Sequence, residues 1–390
     1  MIRIGIDARL SGKKHAGIGR YVENLLIRLP LLKPNVKWVY FFYDKTQLAE
    51  LMQVFGQLSE EEQAGVSVAE FLKNVEVRYA PIKHYSLKEQ KEMPKVFRGA
   101  SLDLLHVPHF NIPLFYRGKI VITIHDLLWH EKKGLEATTL KPWMYWLKYA
   151  FYRLITGTAI RRAKKIFVPA ETTARHILSF YPKVAEKIVI TKEGFYRPVG
   201  RSVERTSKKL GDLKDYLLYV GSLYPHKNVE VILEAMAGEL AEQELVVVGA
   251  RNVFLETIKK KVKELDLERR VHFLGFVDDD ELAVIYRKAK VLIQPSFWEG
   301  FGLTGLEAIA FGTSILVSDI EIFHEVYGQA AWFFNPNSAI ELAEKIKSLT
   351  GKQREVLQSL GRRQLLKYDW QKMSLVTVEN YEKVLGDCEV

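Results

Sequence analysis

A chain of 390 residues, 48% apolar and 27% charged, is too long for one ordinary core and fits two domains of about 150–200 residues each. No apolar run approaches the roughly 20 residues needed to span a bilayer, which argues against a membrane-spanning helix. The net charge of +10 asks for an anionic partner: nucleic acid, an anionic membrane surface or a phosphorylated substrate.

The opening Met1-Ile-Arg-Ile-Gly-Ile-Asp7 reads as a buried strand rather than a signal peptide. With Cys388 the sole cysteine, no internal disulfide can form, and the cytosol is the expected compartment. Further strands are expected at Val36–Tyr43, Val75–Ala80, Asp103–Val107, Ile120–Ile124, Ile166–Val168 and Ile188–Thr191. In the second half they are expected at Tyr216–Val220, Glu244–Val248, Val271–Leu274, Val291–Gln294, Ser314–Val317 and Ala331–Phe333. Helical patterns separate most of them, and the strands are short continuous apolar runs. That alternation predicts parallel α/β sheets. The polar, aperiodic stretch Arg197–Asp215 reads as a linker. The expected domains are therefore 1–198 and 212–369, with a closing amphipathic helix at 370–386.

Three segments carry chemistry. Gly12-Lys-Lys-His-Ala-Gly-Ile-Gly-Arg20 follows the first strand and leads into a helix expected at Ile18–Leu29. Gly17 and Gly19 let backbone approach a ligand, and a helix N-terminus favours an anion. The spacing is not a full dinucleotide fingerprint, so a plain strand-to-helix turn explains it equally well. Tyr219-Val-Gly-Ser-Leu-Tyr-Pro-His-Lys-Asn228 occupies the corresponding place in the second half. Lys227 can neutralise a diphosphate and Ser222 can donate to it. The competing reading is a surface lysine at a helix start, where its charge is mildly unfavourable.

The third segment is Phe297-Trp-Glu-Gly-Phe-Gly-Leu-Thr-Gly-Leu-Glu-Ala308, directly after a strand ending Gln-Pro-Ser. A helix is expected from about Leu303, with free N–H groups from Phe301 through Gly302 and Leu303 to Thr304 facing a negative group. Glu299 precedes the helix, where it can accept from sugar hydroxyls. Glu307 lies one turn inside, where a carboxylate can grip the two hydroxyls of a ribose. The bland alternative is an ordinary helix residue and a cap.

This third segment resembles the Glu-x7-Glu signature of the retaining glycosyltransferases of family 4, which have the GT-B fold. The resemblance extends over nearly the whole chain: Gly17-Ile-Gly-Arg-Tyr21, His125-Asp-Leu127, Gly221-Ser-Leu-Tyr-Pro-His-Lys227, Gly275-Phe-Val-Asp278, Ser318-Asp-Ile320 and Trp370 leading the last helix. It implies two Rossmann-like domains whose parallel sheets face a central cleft, the N-terminal one (1–198) binding the acceptor and the C-terminal one (212–369) the nucleotide sugar, with the last helix crossing back onto the N-terminal domain. It implies that Lys227 binds the donor diphosphate and Glu307 the ribose. Glu299 and the amides of Phe301, Gly302 and Leu303 hold the donor sugar and its phosphate. Gly17 and Gly19 approach the donor from the other domain, and His125 sits beside the donor sugar. Many relatives carry an arginine shortly before the lysine. Here Ser222 and His226 stand instead, which puts the number of cations at the diphosphate in doubt.

Other features carry less. Asp278-Asp-Asp-Glu281 before the helical pattern Leu282–Lys290 reads as a helix cap rather than a metal site. His106, His109, His125 and His130 lack the paired spacing of a zinc site. From Ala137 to Ala170 there is no acidic residue, and Lys141, Lys148, Arg153, Arg161, Arg162, Lys164 and Lys165 alternate with Trp143, Tyr145, Trp146, Tyr149, Phe151 and Tyr152. That segment is either an aromatic core helix with snorkelling cations or a surface for an anionic membrane at the inner face of the plasma membrane. No nucleic-acid module is recognisable. The expectation is a hexosyltransferase that uses a nucleotide-sugar donor, with GDP-mannose ahead of UDP-glucose, and a saccharide or lipid-linked acceptor, with no metal and no cofactor. The alternative is a GT-B protein that binds nucleotide sugar without catalysis.

Overall fold

The computed structural model describes residues 1–58, 62–63, 65–131, 141–196, 210–249 and 254–386. The chain divides into two compact units. Unit 1 gathers the described residues of Met1–Lys133, Leu140–Gly194 and Asp369–Val390, and unit 2 those of Phe195–Tyr368. Most of the expected linker, residues 197–209, lies outside the described residues, as do residues 137–140 of the acid-free stretch and Cys388.

Unit 1 runs β1 (Arg3–Asp7), α1 (Ala16–Leu32), β2 (Lys37–Phe42), α2 (Lys45–Gln57), α3 (Val68–Lys73), β3 (Val75–Tyr79), α4 (Leu87–Arg98), β4 (Leu104–Val107), β5 (Ile120–Thr123), α5 (Leu128–Glu131), α6 (Pro142–Arg162), β6 (Ile166–Val168), α7 (Glu171–Phe180) and β7 (Ile188–Ile190). Among the described residues it holds a seven-stranded sheet in the order β3-β2-β1-β4-β5-β6-β7, and every pairing is parallel. The central strands are buried on both faces, which is why they read as unbroken apolar runs. Val39, Phe41, Leu105, Val107, Ile120 and Ile122 belong to one core with Met93, Phe97 and Ile160 of the flanking helices.

Unit 2 runs β8 (Tyr216–Val220), α8 (Glu230–Ala237), β9 (Leu245–Val248), α9 (Leu255–Glu264), β10 (Val271–Gly275), α10 (Asp279–Lys288), β11 (Ala289–Gln294), α11 (Leu303–Ala310), β12 (Ile315–Ser318), α12 (Glu321–Tyr327), β13 (Ala331–Phe334), α13 (Ala339–Ser348) and α14 (Gly351–Leu365). Its sheet, six-stranded among the described residues, is ordered β10-β9-β8-β11-β12-β13 and is parallel throughout. The chain then returns to unit 1 as α15 (Trp370–Leu385), capped by the Asp369 carboxylate on the amides of Gln371 and Lys372. Within unit 1, α15 lies along α1. Gly194 meets the start of α15 so closely that a Cβ there would stand 2.4 Å from Trp370 N.

Each expected strand is present, with ends moved by a residue or two. Two helix starts differ. Helix α1 begins at Ala16, not Ile18, so Gly17 and Gly19 lie inside it. The turn is made earlier by Gly12, at φ 95°, and a short 3-10 turn over Lys13–His15. Helix α10 starts at Asp279 rather than Leu282, because Asp278 caps it by accepting from Glu281 N at 2.8 Å.

Candidate active site

In unit 2 the chain leaves β8 towards β9 on one side and later enters β11 on the other. Loops that follow the carboxyl ends of two such neighbouring strands diverge, and open parallel sheets bind ligands in the gap between them. The Ser222–Lys227 segment follows β8, and the Glu299–Thr304 segment follows β11.

Hydrogen bonds join the two loops. Asn228, in the left-handed region (φ 55°, ψ 39°), donates from Nδ2 to Pro295 O at 3.0 Å and Pro336 O at 2.8 Å. Phe297 N donates to His226 O at 2.8 Å. The result is an ion pair at the end of the sheet: Lys227 Nζ stands 2.6 Å from Glu299 Oε2, with the side chains 21% and 14% exposed. Ser296 Oγ donates to the other oxygen, Glu299 Oε1, at 2.9 Å. The charge of Glu299 is felt on both sides. Burial first, and this carboxylate second, raise Tyr219 and Tyr327 well above the usual phenol range.

The start of α11 is built around Tyr327. Its hydroxyl lies 2.6 Å from Gln294 Oε1 and 2.5 Å from Gly302 O, while Gln294 Nε2 donates to Thr304 Oγ1 at 2.6 Å. Gly302 sits at φ 113°, and a Cβ on it would meet the Tyr327 hydroxyl at 2.3 Å. Only glycine fits there, for reasons of both backbone and space. Helix α11 begins at Leu303, so the N–H groups of Leu303 and Thr304 precede its first helical bonds and form a site for negative charge, while Gly305 N turns back to Gly302 O at 3.1 Å. Phe301 is buried edge-on against Tyr368. Glu307 is buried one turn further, with Tyr286 OH 3.5 Å from Oε2. Of Ser222, it is the carbonyl that is engaged, accepting from Tyr219 OH at 2.5 Å.

The remaining expected residues lie in unit 1. Gly17 is exposed on the first turn of α1. Gly19 is buried against the loop, where a Cβ would stand 2.1 Å from Gly12 O, so close packing alone demands glycine there. His125, just beyond β5, directs Nδ1 at Glu193 Oε1, 3.1 Å away, and its ring meets Tyr21 edge-on at 4.8 Å. With a carboxylate on Nδ1, the neutral ring carries its proton there and leaves Nε2 as an acceptor. Nε2 is buried and has no hydrogen-bond partner among the described residues. A chain of bonds supports this region: Tyr21 OH to Thr123 Oγ1 at 2.9 Å, Thr123 Oγ1 to His106 Nε2 at 2.8 Å, and His106 Nδ1 to Tyr381 OH at 2.5 Å. Burial, reinforced by His125, pushes His106 down to about 3.

Sequence reasoning missed Glu193, which lies 68 residues from its partner. It missed the buried Asp7–Arg9–Glu89 cluster as well. The available signal for the latter was an Asp-Ala-Arg run directly after a buried strand.

Comparison with known proteins agrees with this architecture. Residues 15–195 match the Glycosyltransferase Family 4 model and residues 201–364 match the Glycosyl transferases group 1 model. The chain is similar to the O-antigen chain mannosyltransferase RfbU of Salmonella typhimurium, at 27% identity over 70% of this chain and 72% of that one. It is similar to the O-antigen chain mannosyltransferase B of Escherichia coli, at 24% identity over 94% and 96%. Among solved structures, a sucrose-phosphate synthase from Thermosynechococcus elongatus superposes with a TM-score of 0.72 at 18% identity, over 98% of this chain and 99% of that one. HepE of Anabaena, solved with UDP and glucose, superposes with a TM-score of 0.72 at 17% identity, over 98% and 100%.

Proposed function

The chain belongs to the group 1, family 4 glycosyltransferases of the GT-B fold, and on that footing we propose that it transfers a mannosyl residue from a nucleotide sugar, GDP-mannose first, to a saccharide or lipid-linked saccharide during surface-glycan synthesis. Relatives named as O-antigen mannosyltransferases, matched over most of their length, support the choice of sugar and pathway class.

The observation that carries the site assignment is the Lys227–Glu299 pair beside the N-terminus of α11. When the glycosidic bond breaks, negative charge grows on the departing nucleoside diphosphate. A lysine and a helix N-terminus fixed beforehand stabilise that charge without reorganising. In this reading Lys227, helped by Ser222 and the amides from Phe301 to Thr304, holds the diphosphate. Glu299 turns from Lys227 to the sugar hydroxyls. Glu307 takes the ribose. His125 offers Nε2 to the donor sugar, and Gly17, exposed on the first turn of α1, admits it closely. The acceptor hydroxyl attacks from the face the leaving group vacates, so the anomeric configuration is retained and no protein nucleophile or metal is needed. Incubation with GDP-mannose and a lipid-linked saccharide should add the mass of one hexose, α-linked by NMR. No product with GDP-mannose and product with UDP-glucose would replace the donor.

We propose a membrane surface as a further partner. No helix among the described residues is long and apolar enough to cross a bilayer. Helix α6, however, exposes Trp143, Trp146, Leu147, Phe151 and Leu154, a spacing that lines one face. Its opposite side, including Tyr145, Thr156 and Ile160, is buried. Lys141 and Lys148 are exposed, and no acid lies on the helix. Apolar anchors beside cations suit the interface of an anionic bilayer. Flotation with phosphatidylglycerol vesicles should carry the protein up and phosphatidylcholine vesicles should not. Equal flotation after Trp143→Ala and Leu147→Ser together would remove α6 from the contact.

A further inference from the structure

Helix α15 carries Trp370 and Tyr381 eleven residues apart, about three helical turns, so both lie on one face. That face, with Ser374 and Thr377 between them, is buried in unit 1 beside α1. The donor assignment uses no residue on it. Yet each of the two aromatic residues leads to a support of His125.

At the far end of the helix, Tyr381 is fully buried with its hydroxyl 2.5 Å from His106 Nδ1. His106 Nε2 lies 2.8 Å from Thr123 Oγ1, and Thr123 Oγ1 lies 2.9 Å from Tyr21 OH. Burial first, and the nearby His125 second, keep His106 uncharged, so its ring holds one proton for two nitrogens. A phenol is a stronger acid than a neutral imidazole, and an imidazole nitrogen is a stronger base than a phenol oxygen. Tyr381 therefore donates to Nδ1, the ring proton sits on Nε2, and Nε2 donates to Thr123. Thr123 in turn gives its own proton to Tyr21. The chain runs in one direction from α15 to α1, and bonds in such a chain polarise and strengthen one another.

At the near end, Trp370 meets two supports at once. Its ring packs edge-on against Tyr21 at 6.4 Å, and its backbone closes on Gly194, the residue after Glu193. Tyr21 meets the His125 ring edge-on at 4.8 Å, and Glu193 stands 3.1 Å from its Nδ1. One hydrogen bond leaves an imidazole able to swing about that bond. The edge of Tyr21 removes this freedom, and Tyr21 is itself pinned by Thr123 at its hydroxyl and by Trp370 at its ring.

We infer that Tyr381 and Trp370 are positioning residues for His125: through Tyr21 they hold its ring with Nε2 turned to the donor sugar. The inference rests on the role given to His125 in transfer. Neither residue touches substrate. What they fix is an orientation, and a misplacement of about 1 Å at a reacting group can cost about 100-fold in rate.

The test joins long-range proton–nitrogen NMR of the intact chain, labelled at its histidine nitrogens, to steady-state kinetics. His125 signals are identified by their loss in His125→Gln, and those of His106 by their loss in His106→Gln. In the wild type the proton of His106 should be on Nε2 and that of His125 on Nδ1. Tyr381→Phe keeps the ring and deletes the donor. It should move the His106 proton partly off Nε2, shift the His125 signals, and lower kcat about fivefold with the donor KM unchanged. Trp370→Phe should shift the His125 signals by the second route, which covers the case of a poorly folded Tyr381→Phe. In a His125→Gln background, Tyr381→Phe should change kcat by less than about twofold, because the residue it acts through is gone. His125 signals unmoved in both variants, or the full loss of kcat persisting without His125, would overturn the inference. Shifted His125 signals in a protein that transfers no sugar would leave the inference standing and count against the transferase reading alone.

Discussion

Lys227 and Glu299 are each other's partners across the ends of β8 and β11, 2.6 Å apart. Both are proposed to touch the donor, one at the diphosphate and one at the sugar. Donor binding then exchanges this bond for two others. Glu299→Gln frees the ammonium, so a nucleoside diphosphate without its sugar should bind about threefold to tenfold tighter, the scale of a partly exposed ion pair. Transfer from the sugar nucleotide should fall at the same time. Calorimetric titration of GDP and UDP reads the first effect. Unchanged or weaker affinity would show that Lys227 does not meet the diphosphate.

The His125–Glu193 contact, at 3.1 Å, sets which ring nitrogen carries the proton. Glu193 is a positioning residue on this account. Glu193→Gln can still accept from Nδ1 and should retain most activity. Glu193→Ala should lower kcat by about tenfold or more, within the range of misdirected acid–base and orienting groups, and leave the donor KM nearly unchanged. A parallel rise in donor KM would instead mark Glu193 as part of the donor pocket.

The sheets were legible because parallel strands buried on both faces are continuous apolar runs, as in Tyr216–Val220 and Ile120–Thr123. The loop carrying Glu299 through Thr304 was legible because Pro295, Gly300 and Gly302 punctuate it between a strand and a helix. The start of α1 was misplaced because two glycines after a lysine run look like a loop. The real reason for Gly19 is closeness of backbone: it faces Gly12 O, a contact no periodicity reports. Glu193 and the Arg9–Glu89 bond were invisible for another cause. Their partners are 68 and 80 residues away, and only the parallel topology brings them to one sheet edge.

Acid should weaken unit 1 through its buried histidines. His106 is held at about 3 against an ordinary value of 6.5, by burial first and His125 second, and burial lowers His109 as well. The folded state keeps these rings neutral, while the unfolded chain protonates them below its own pKa. For His106 that contribution is whole above pH 6.5 and declines as pH falls towards 3. The slope is about 1.4 kcal/mol per pH unit for each ring. Urea unfolding at several pH values, compared with His106→Gln, measures it. The variant should have the shallower slope. Identical slopes would mean that His106 is not kept neutral by the fold.

The most direct test is thermal unfolding of the wild type and Lys227→Ala with GDP-mannose, GDP, UDP-glucose, UDP and ADP, since a ligand held only by the folded state raises Tm. The account predicts a rise of several degrees for the wild type with one nucleotide family, GDP first, and loss of most of that rise in Lys227→Ala. No rise with any of them, or the same rise in both proteins, would contradict a donor site at Lys227.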